Sequence, residues 1–143
     1  MSENTEIVAV DASILDGNTN RSICTVDLSD DMGKLKIIAA LNYAAPLKDF
    51  ADKEIIFCDC IQVAGVRKAR NGGTDTPCKN TYLIDADGNA YFSQSDGIAR
   101  SVQMISALFP DFGKHLDDGG IKLKLVEQKL PNGNTLKNLV PVQ

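Results

Sequence analysis

The sequence predicts a mainly β fold with helices (α+β): a five-stranded barrel preceded by an extension that contains a helix. Three observations predict it. From Lys53 onward the apolar runs follow one another as long strand, loop, hairpin, helix, hairpin. Asp87-Gly88 and Asn132-Gly133 mark two tight turns between alternating runs. One helical pattern lies between the two hairpins, and a second precedes the first long strand.

Residues 1–28 hold two short alternating runs, "EIVAV" and "SICTVDL", separated by the turn-rich "DGNTN". A helix is expected from about Asp30 to Ala44. Ser29 or Asp30 caps it, Leu35, Ile38 and Leu41 recur at helical spacing, and Pro46 stops it. Gly33 weakens its start. "LKDFAD" reads as one more helical turn. "KEIIFCDCIQVAGVRK" is a long β-branched strand with a bend or bulge expected at Gly65. On such a strand Cys58 and Cys60 share a face.

After the loop "ARNGGTDTP" come "CKNTYLI" and "IDADGNAYF". The second of these resembles a calcium loop at first sight. An EF-hand loop needs glycine at its sixth position and an acid at its twelfth, between two helices. Counted from Asp85 the glycine comes fourth, and the flanks are strand-like. The stretch is therefore a hairpin, with Gly88 in the left-handed conformation and Asp85 and Asp87 explained by the turn. Pairing through that turn sets Leu83 across from Tyr91 and Tyr82 across from Phe92. "SDGIARSVQMISALF" is a helix capped by Ser95 or Asp96, with Ile98, Val102, Ile105 and Leu108 on one side and Pro110 at its end. Phe109 and Phe112 plug the barrel end. "IKLKLVEQKL" and "TLKNLVPV" form the last hairpin.

This order is that of the OB-fold, a five-stranded, partly open Greek-key barrel. Residues 1–52 are an N-terminal extension packing on a barrel of residues 53–143, one structural domain overall. Charge follows the same division. The chain has a net charge of −4. Residues 1–52 carry four bases against nine acids, whereas residues 53–143 carry eleven bases against ten acids. Two clusters stand out: Arg67, Lys68, Arg70 and Lys79 around the first loop, and Lys122, Lys124, Lys129 and Lys137 on the last hairpin. In an OB-fold these two loops flank the oligonucleotide groove, and a local field steers a polyanion more than the total charge does.

Single strands are held by cations that track the phosphates and by aromatic faces on which bases stack. Alternation sends Tyr91 and Phe92 to opposite faces. Phe92, with Ile84, is assigned to the core. Tyr91, with Thr81 and Ser93, is assigned to the outward, base-stacking face, and Tyr82 leans inward. Arg100 faces solvent. Lys122 and Lys124 share a face of their strand, where lysines also guard against edge pairing.

No catalytic motif is present: there is no phosphate-binding loop, no G-x-S-x-G and no H-E-x-x-H. The single histidine, His115, lies in a loop. The four cysteines form no C-x-x-C pair, so free thiols are expected rather than zinc or disulfides. Neither a cofactor nor a metal is expected. No apolar run reaches the length of a membrane helix, and the polar, acidic start is unlike a signal peptide, so a cytoplasmic, non-enzymatic protein is expected.

Two stretches, "IIAALNYAAPLKDFADKEIIFCDCI" and "TYLIDADGNAYFSQSDGIARSVQMISALF", resemble a family of small single-stranded-DNA-binding proteins from phages and conjugative elements of Gram-positive bacteria. The shared pattern is a helix ending at Leu41-Asn42, the Leu47-Lys48-Asp49 turn, the strand from Glu54, the turn Asp85-Ala86-Asp87-Gly88, and a helix opening over Ser95–Ser101. It covers roughly residues 30–129 and is mostly structural. The resemblance implies an OB-fold that coats single-stranded DNA during conjugative plasmid transfer or replication. The first loop carries no signature of the family, so its role rests on charge. The N-terminal run with Ile7, Val8 and Val10 is a candidate for self-association along the DNA, by pairing with the edge of a neighbouring subunit. The alternatives are a protein-interaction module of the transfer machinery, whose groove holds a peptide, and an RNA-binding protein with the same chemistry.

Overall fold

A computed structural model describes residues 22–69 and 72–142. Ile7, Val8, Val10 and Arg70 lie outside the described residues. The described chain is a mixed α+β structure, one curled half-barrel sheet with two α-helices. The strands are β1 (Ile23–Cys24), β2 (Ala45–Pro46), β3 (Glu54–Arg67), β4 (Thr76–Asp85), β5 (Ala90–Ser93), β6 (Ile121–Lys129) and β7 (Thr135–Pro141). The helices are α1 (Asp31–Tyr43) and α2 (Asp96–Leu108). The order across the sheet is β2-β5-β4-β3-β6-β7, with β1 paired to β3 beside this path. The five expected strands are present in the expected order. The extension adds β1 and β2, and β2 runs parallel to β5.

Long β3 serves both halves of the sheet. Its first residues, Glu54 to Phe57, pair with β6, and it pairs with β4 from Phe57 to Arg67. The register slips between Phe57 and Asp59. This is a bulge at Cys58, and a bulge bends and twists its strand. Alternation shifts by one there, so Phe57 and Cys60 both enter the barrel core and Cys58 and Cys60 do not share a face. The bend is thus at Cys58 and not at Gly65, which stays in the ladder opposite Cys78. A side chain at Gly65 would collide with the Asn80 amide.

The hairpin between β4 and β5 has the expected register, Leu83 opposite Tyr91 and Tyr82 opposite Phe92. Gly88 has φ +92°. The Asp85 carboxylate accepts backbone N–H groups from Asp87 and Asn89, both at 2.9 Å, which ties the turn.

Helix α2 closes one end of the half-barrel. Ser95 caps it, its hydroxyl accepting from the Ile98 N–H at 3.3 Å, and Ile98 and Val102 are fully buried. Phe112 is buried with them, whereas Phe109 is only half-buried and stacks on His115. A polar network crosses the interior. Gln62 Nε2 donates to Thr81 Oγ1 (3.1 Å) and the Ala99 carbonyl (3.2 Å), and Gln103 Nε2 donates to Gln62 Oε1 (2.6 Å). Gly97 seats the helix against β7, since a Cβ there would strike the Lys137 carbonyl, a backbone atom that cannot swing aside. Gly97→Ala is therefore expected to lower stability by about 1–3 kcal/mol, read from a urea midpoint shift at unchanged slope. A shift below a few tenths of a kcal/mol would show that helix and strand separate freely.

Helix α1 lies on the outer face of β4 and β5. Asp30 caps it, as expected, accepting from the Met32 N–H at 3.0 Å. Its buried side differs from the expected one. Gly33 and Ala40 are buried, Ile37 packs beside them, and Leu35, Ile38 and Leu41 point outward and are exposed. A side chain at Gly33 would meet the Asp27 carbonyl and Val26, so glycine lets the first turn of the helix pack on the segment that leads out of β1. Val26, Ala40, Ile61 and Ile84 form this second core. Strands β4 and β5 are consequently covered on both sides.

One buried charge joins the extension to the barrel. Asp59 is 1% exposed, accepts from Thr25 Oγ1 at 2.9 Å, and pairs with Lys114 and, at 3.5 Å, with Lys36 of α1. Lys114 also donates to the Thr25 carbonyl at 3.1 Å.

Candidate nucleic-acid interface

Covering β4 and β5 on both sides decides where their aromatic residues go. Tyr91 faces the barrel interior, correcting its assignment as a base-stacking residue. It is buried, with Phe50 and Phe57 edge-on at ring-centre distances of 4.9 and 5.5 Å. Its hydroxyl donates to Asp85 at 2.8 Å. Burial, and then the Asp85 carboxylate beside it, push its pKa up to about 12.

The folded protein favours the neutral phenol, so this contribution is complete below pH ~10 and is lost as pH rises toward 12. Tyr91→Phe is expected to cost about 1–2 kcal/mol at pH 7 and to flatten the alkaline fall in stability. Parallel urea titrations at pH 7 and pH 11 test both; an equally steep fall in the variant would place that titration elsewhere.

Phe92 and Tyr82 take the opposite face. They lie on the outside of the sheet, half-buried, with ring centres 5.1 Å apart and planes inclined by 44°. The register places the four residues in pairs as expected, but inside and outside are exchanged.

Beyond Phe92 the sheet is open, because β5 and β7 do not pair. A groove of about 660 Å3 occupies this seam. Phe92 and Ser93 of β5, the start of α2, and Thr135 to Lys137 of β7 form its walls. Three cations from distant parts of the chain line it: Lys48 from the turn after β2, Arg67 from the end of β3, and Lys137 from β7. Arg67 donates to the Gln94 carbonyl at 2.6 Å and pairs with the exposed Asp96 at 3.3 Å. Gln94 Nε2 donates to Asn80 Oδ1 at 2.9 Å, which steadies the strand end on which Arg67 rests.

The remaining expected cations are dispersed. Lys68 pairs with Asp75 across the first loop at 3.5 Å, and Lys79 lies on β4 opposite Ala64. Lys129 is exposed at the last hairpin, opposite Thr135. Lys122 and Lys124 lie on β6, next to β7, but neither lines the seam groove. Lys122 lines a separate cavity with Glu54, Asp85 and Asp87, and Lys124 stands directly across from Glu54.

No family model, curated protein or solved structure matches this chain. The site therefore rests on its own geometry. Two groove residues, Lys48 and Phe92, escaped the sequence reading. Lys48 sits outside either basic cluster and reaches the groove only because β2 runs beside β5. Phe92 carried the correct alternation signal, and only the side on which α1 packs decides its face. Among the described residues no helix is long and apolar enough to cross a membrane, and no group of three or more His, Cys, Asp or Glu is placed to hold a metal ion. His115 is exposed and pairs with Asp111 at 2.8 Å, which lowers the Asp111 pKa.

Proposed function

We propose that this protein binds single-stranded DNA with little sequence preference and without catalysis, and that its half-barrel is an OB-fold. The strand order β5-β4-β3-β6-β7, with a helix between β5 and β6, supports the fold. One observation carries the function: the seam between β5 and β7 gathers Lys48, Arg67 and Lys137 beside the half-buried Phe92. Three cations can follow successive phosphates while the ring accepts a base, and neither contact reads sequence. The resemblance noted above suggests the setting, a cytoplasmic coat on DNA in conjugative transfer or replication.

Fluorescence anisotropy of a labelled oligo-dT, across a salt series and against a matching duplex and an RNA of equal length, tests the proposal. Affinity should fall steeply with salt, with about 0.7 in the logarithmic slope for each phosphate contact on a single strand. Phe92→Ala should weaken binding by about 1–3 kcal/mol with little change in that slope. Absence of binding at low salt would overturn the proposal and favour a peptide ligand, since β7 is an edge strand whose backbone borders the same groove.

A further inference from the structure

Helix α1 is apolar on both sides. Over residues 35–43 it reads "LKIIAALNY", and only Ile37 and Ala40 of its large or small apolar residues turn to the sheet core. On the opposite side, Leu35 and Ile38 are each 57% exposed and Met32 is 69% exposed. Tyr43, 85% exposed, follows Ala39 by one helical turn on the same side, whereas Leu41 projects from the other flank of the helix. A helix that is apolar all round is normally covered all round. At ~100 Å2 for each large side chain exposed to this degree, Met32, Leu35, Ile38 and Tyr43 together present roughly 400 Å2. That lies within the about 300–600 Å2 of the largest apolar patches on monomers, which are often functional, and a contact that adds the flanking polar residues to it approaches the ~800 Å2 per partner of a standard interface.

We propose that this face is the contact surface for a second copy of the chain, forming an isologous dimer in the absence of nucleic acid. An isologous contact needs a patch that fits itself, and the charges on α1 allow that. Lys36 is turned to Asp59, and Asp31 and Lys34 pair with each other at the start of the helix, at 3.5 Å. The stretch from Leu35 to Tyr43 offers no other charge. In an antiparallel crossing, the Asp31–Lys34 end of one helix lies over the Asn42–Tyr43 end of the other, so like charges do not meet. Ala39, small and exposed between Leu35 and Tyr43, gives the crossing point room for close approach. This surface is separate from the seam groove, so the dimer does not depend on the DNA-binding proposal.

Sedimentation equilibrium of the full chain without nucleic acid, over a hundredfold concentration range, tests the dimer. The wild type should dissociate reversibly from dimer to monomer. Leu35→Glu/Ile38→Glu should raise the dissociation constant at least 10-fold, with circular dichroism and melting temperature unchanged because both positions are exposed. If that variant folds poorly, Met32→Lys/Tyr43→Lys, at still more exposed positions, serves in its place. A wild type that is monomeric throughout overturns the proposal. So does a variant that dimerises like the wild type, which puts the contact elsewhere. A monomeric wild type whose melting point falls in both variants would show the face covered by residues 1–21 of its own chain, and this too overturns it. Oligo-dT binding, measured on the same proteins, reports on the groove independently.

Discussion

Replacing Lys48, Arg67 and Lys137 together by alanine is expected to weaken oligo-dT binding by about 100-fold or more at low salt, at ~1–1.5 kcal/mol for each charge-assisted contact. The logarithmic salt slope should fall by about 2, since each lost phosphate contact removes ~0.7 from it on a single strand. The three contributions are unequal. Arg67 already donates to the Gln94 carbonyl and pairs with Asp96, so a phosphate that replaces Asp96 gains only the difference. No ion pair engages Lys48 or Lys137 among the described residues, and either single substitution should cost more than Arg67→Ala. Lys122→Ala/Lys124→Ala provides the contrast. These lysines lie outside the groove, Lys122 in a separate cavity with Glu54, Asp85 and Asp87, and their loss should leave the slope unchanged. A slope that falls in the β6 variant and not in the groove variant would move the DNA path to the opposite side of the sheet.

Removing both lysines around Asp59 is expected to cost more stability than removing Asp59 itself. The asymmetry follows from exposure. Asp59 is 1% exposed, whereas the Lys36 and Lys114 side chains are 41% and 37% exposed. In Asp59→Asn the two ammonium groups turn to water, and the amide can still accept from Thr25, so a loss of about 1–2 kcal/mol is expected. In Lys36→Met/Lys114→Met the carboxylate remains buried with only the Thr25 hydroxyl and the weakly donating Cys58 thiol beside it. A buried charge stripped of its partners costs about 3 kcal/mol or more. Urea titrations of both variants at pH 7 decide the order, and a larger loss in Asp59→Asn would show that water reaches the carboxylate. The same network holds Thr25, α1 and the loop after α2 to β3, so the Lys36→Met/Lys114→Met variant should also loosen α1 first under native-state hydrogen exchange.

Most of the secondary structure was legible because its signals are local. Asp30 and Ser95, each one of the two cap candidates offered by the sequence, cap the two helices, since a hydroxyl or carboxylate at the N-terminus serves N–H groups within three residues. The hairpin register followed from Asp87-Gly88, whose turn geometry alone aligns Leu83 with Tyr91. The bulge at Cys58 was not legible. Nothing in "IIFCDCI" marks it, and it arises because β3 must leave β6 and continue along β4.

What the sequence by itself determined is the order of elements, their caps and turns, and which residues face each other across the β4–β5 hairpin. What only the tertiary structure decided is sidedness. Alternation separates two faces of a strand, but it names the buried one only when the other meets water. Here α1 covers the outside of β4 and β5 while the barrel core covers the inside, so both faces are apolar and Tyr91 and Phe92 exchange roles. The meeting of Lys48, Arg67 and Lys137 was decided in the same way. Three cations separated by up to 89 positions converge only because β2 lies along β5 and the sheet stays open opposite β7.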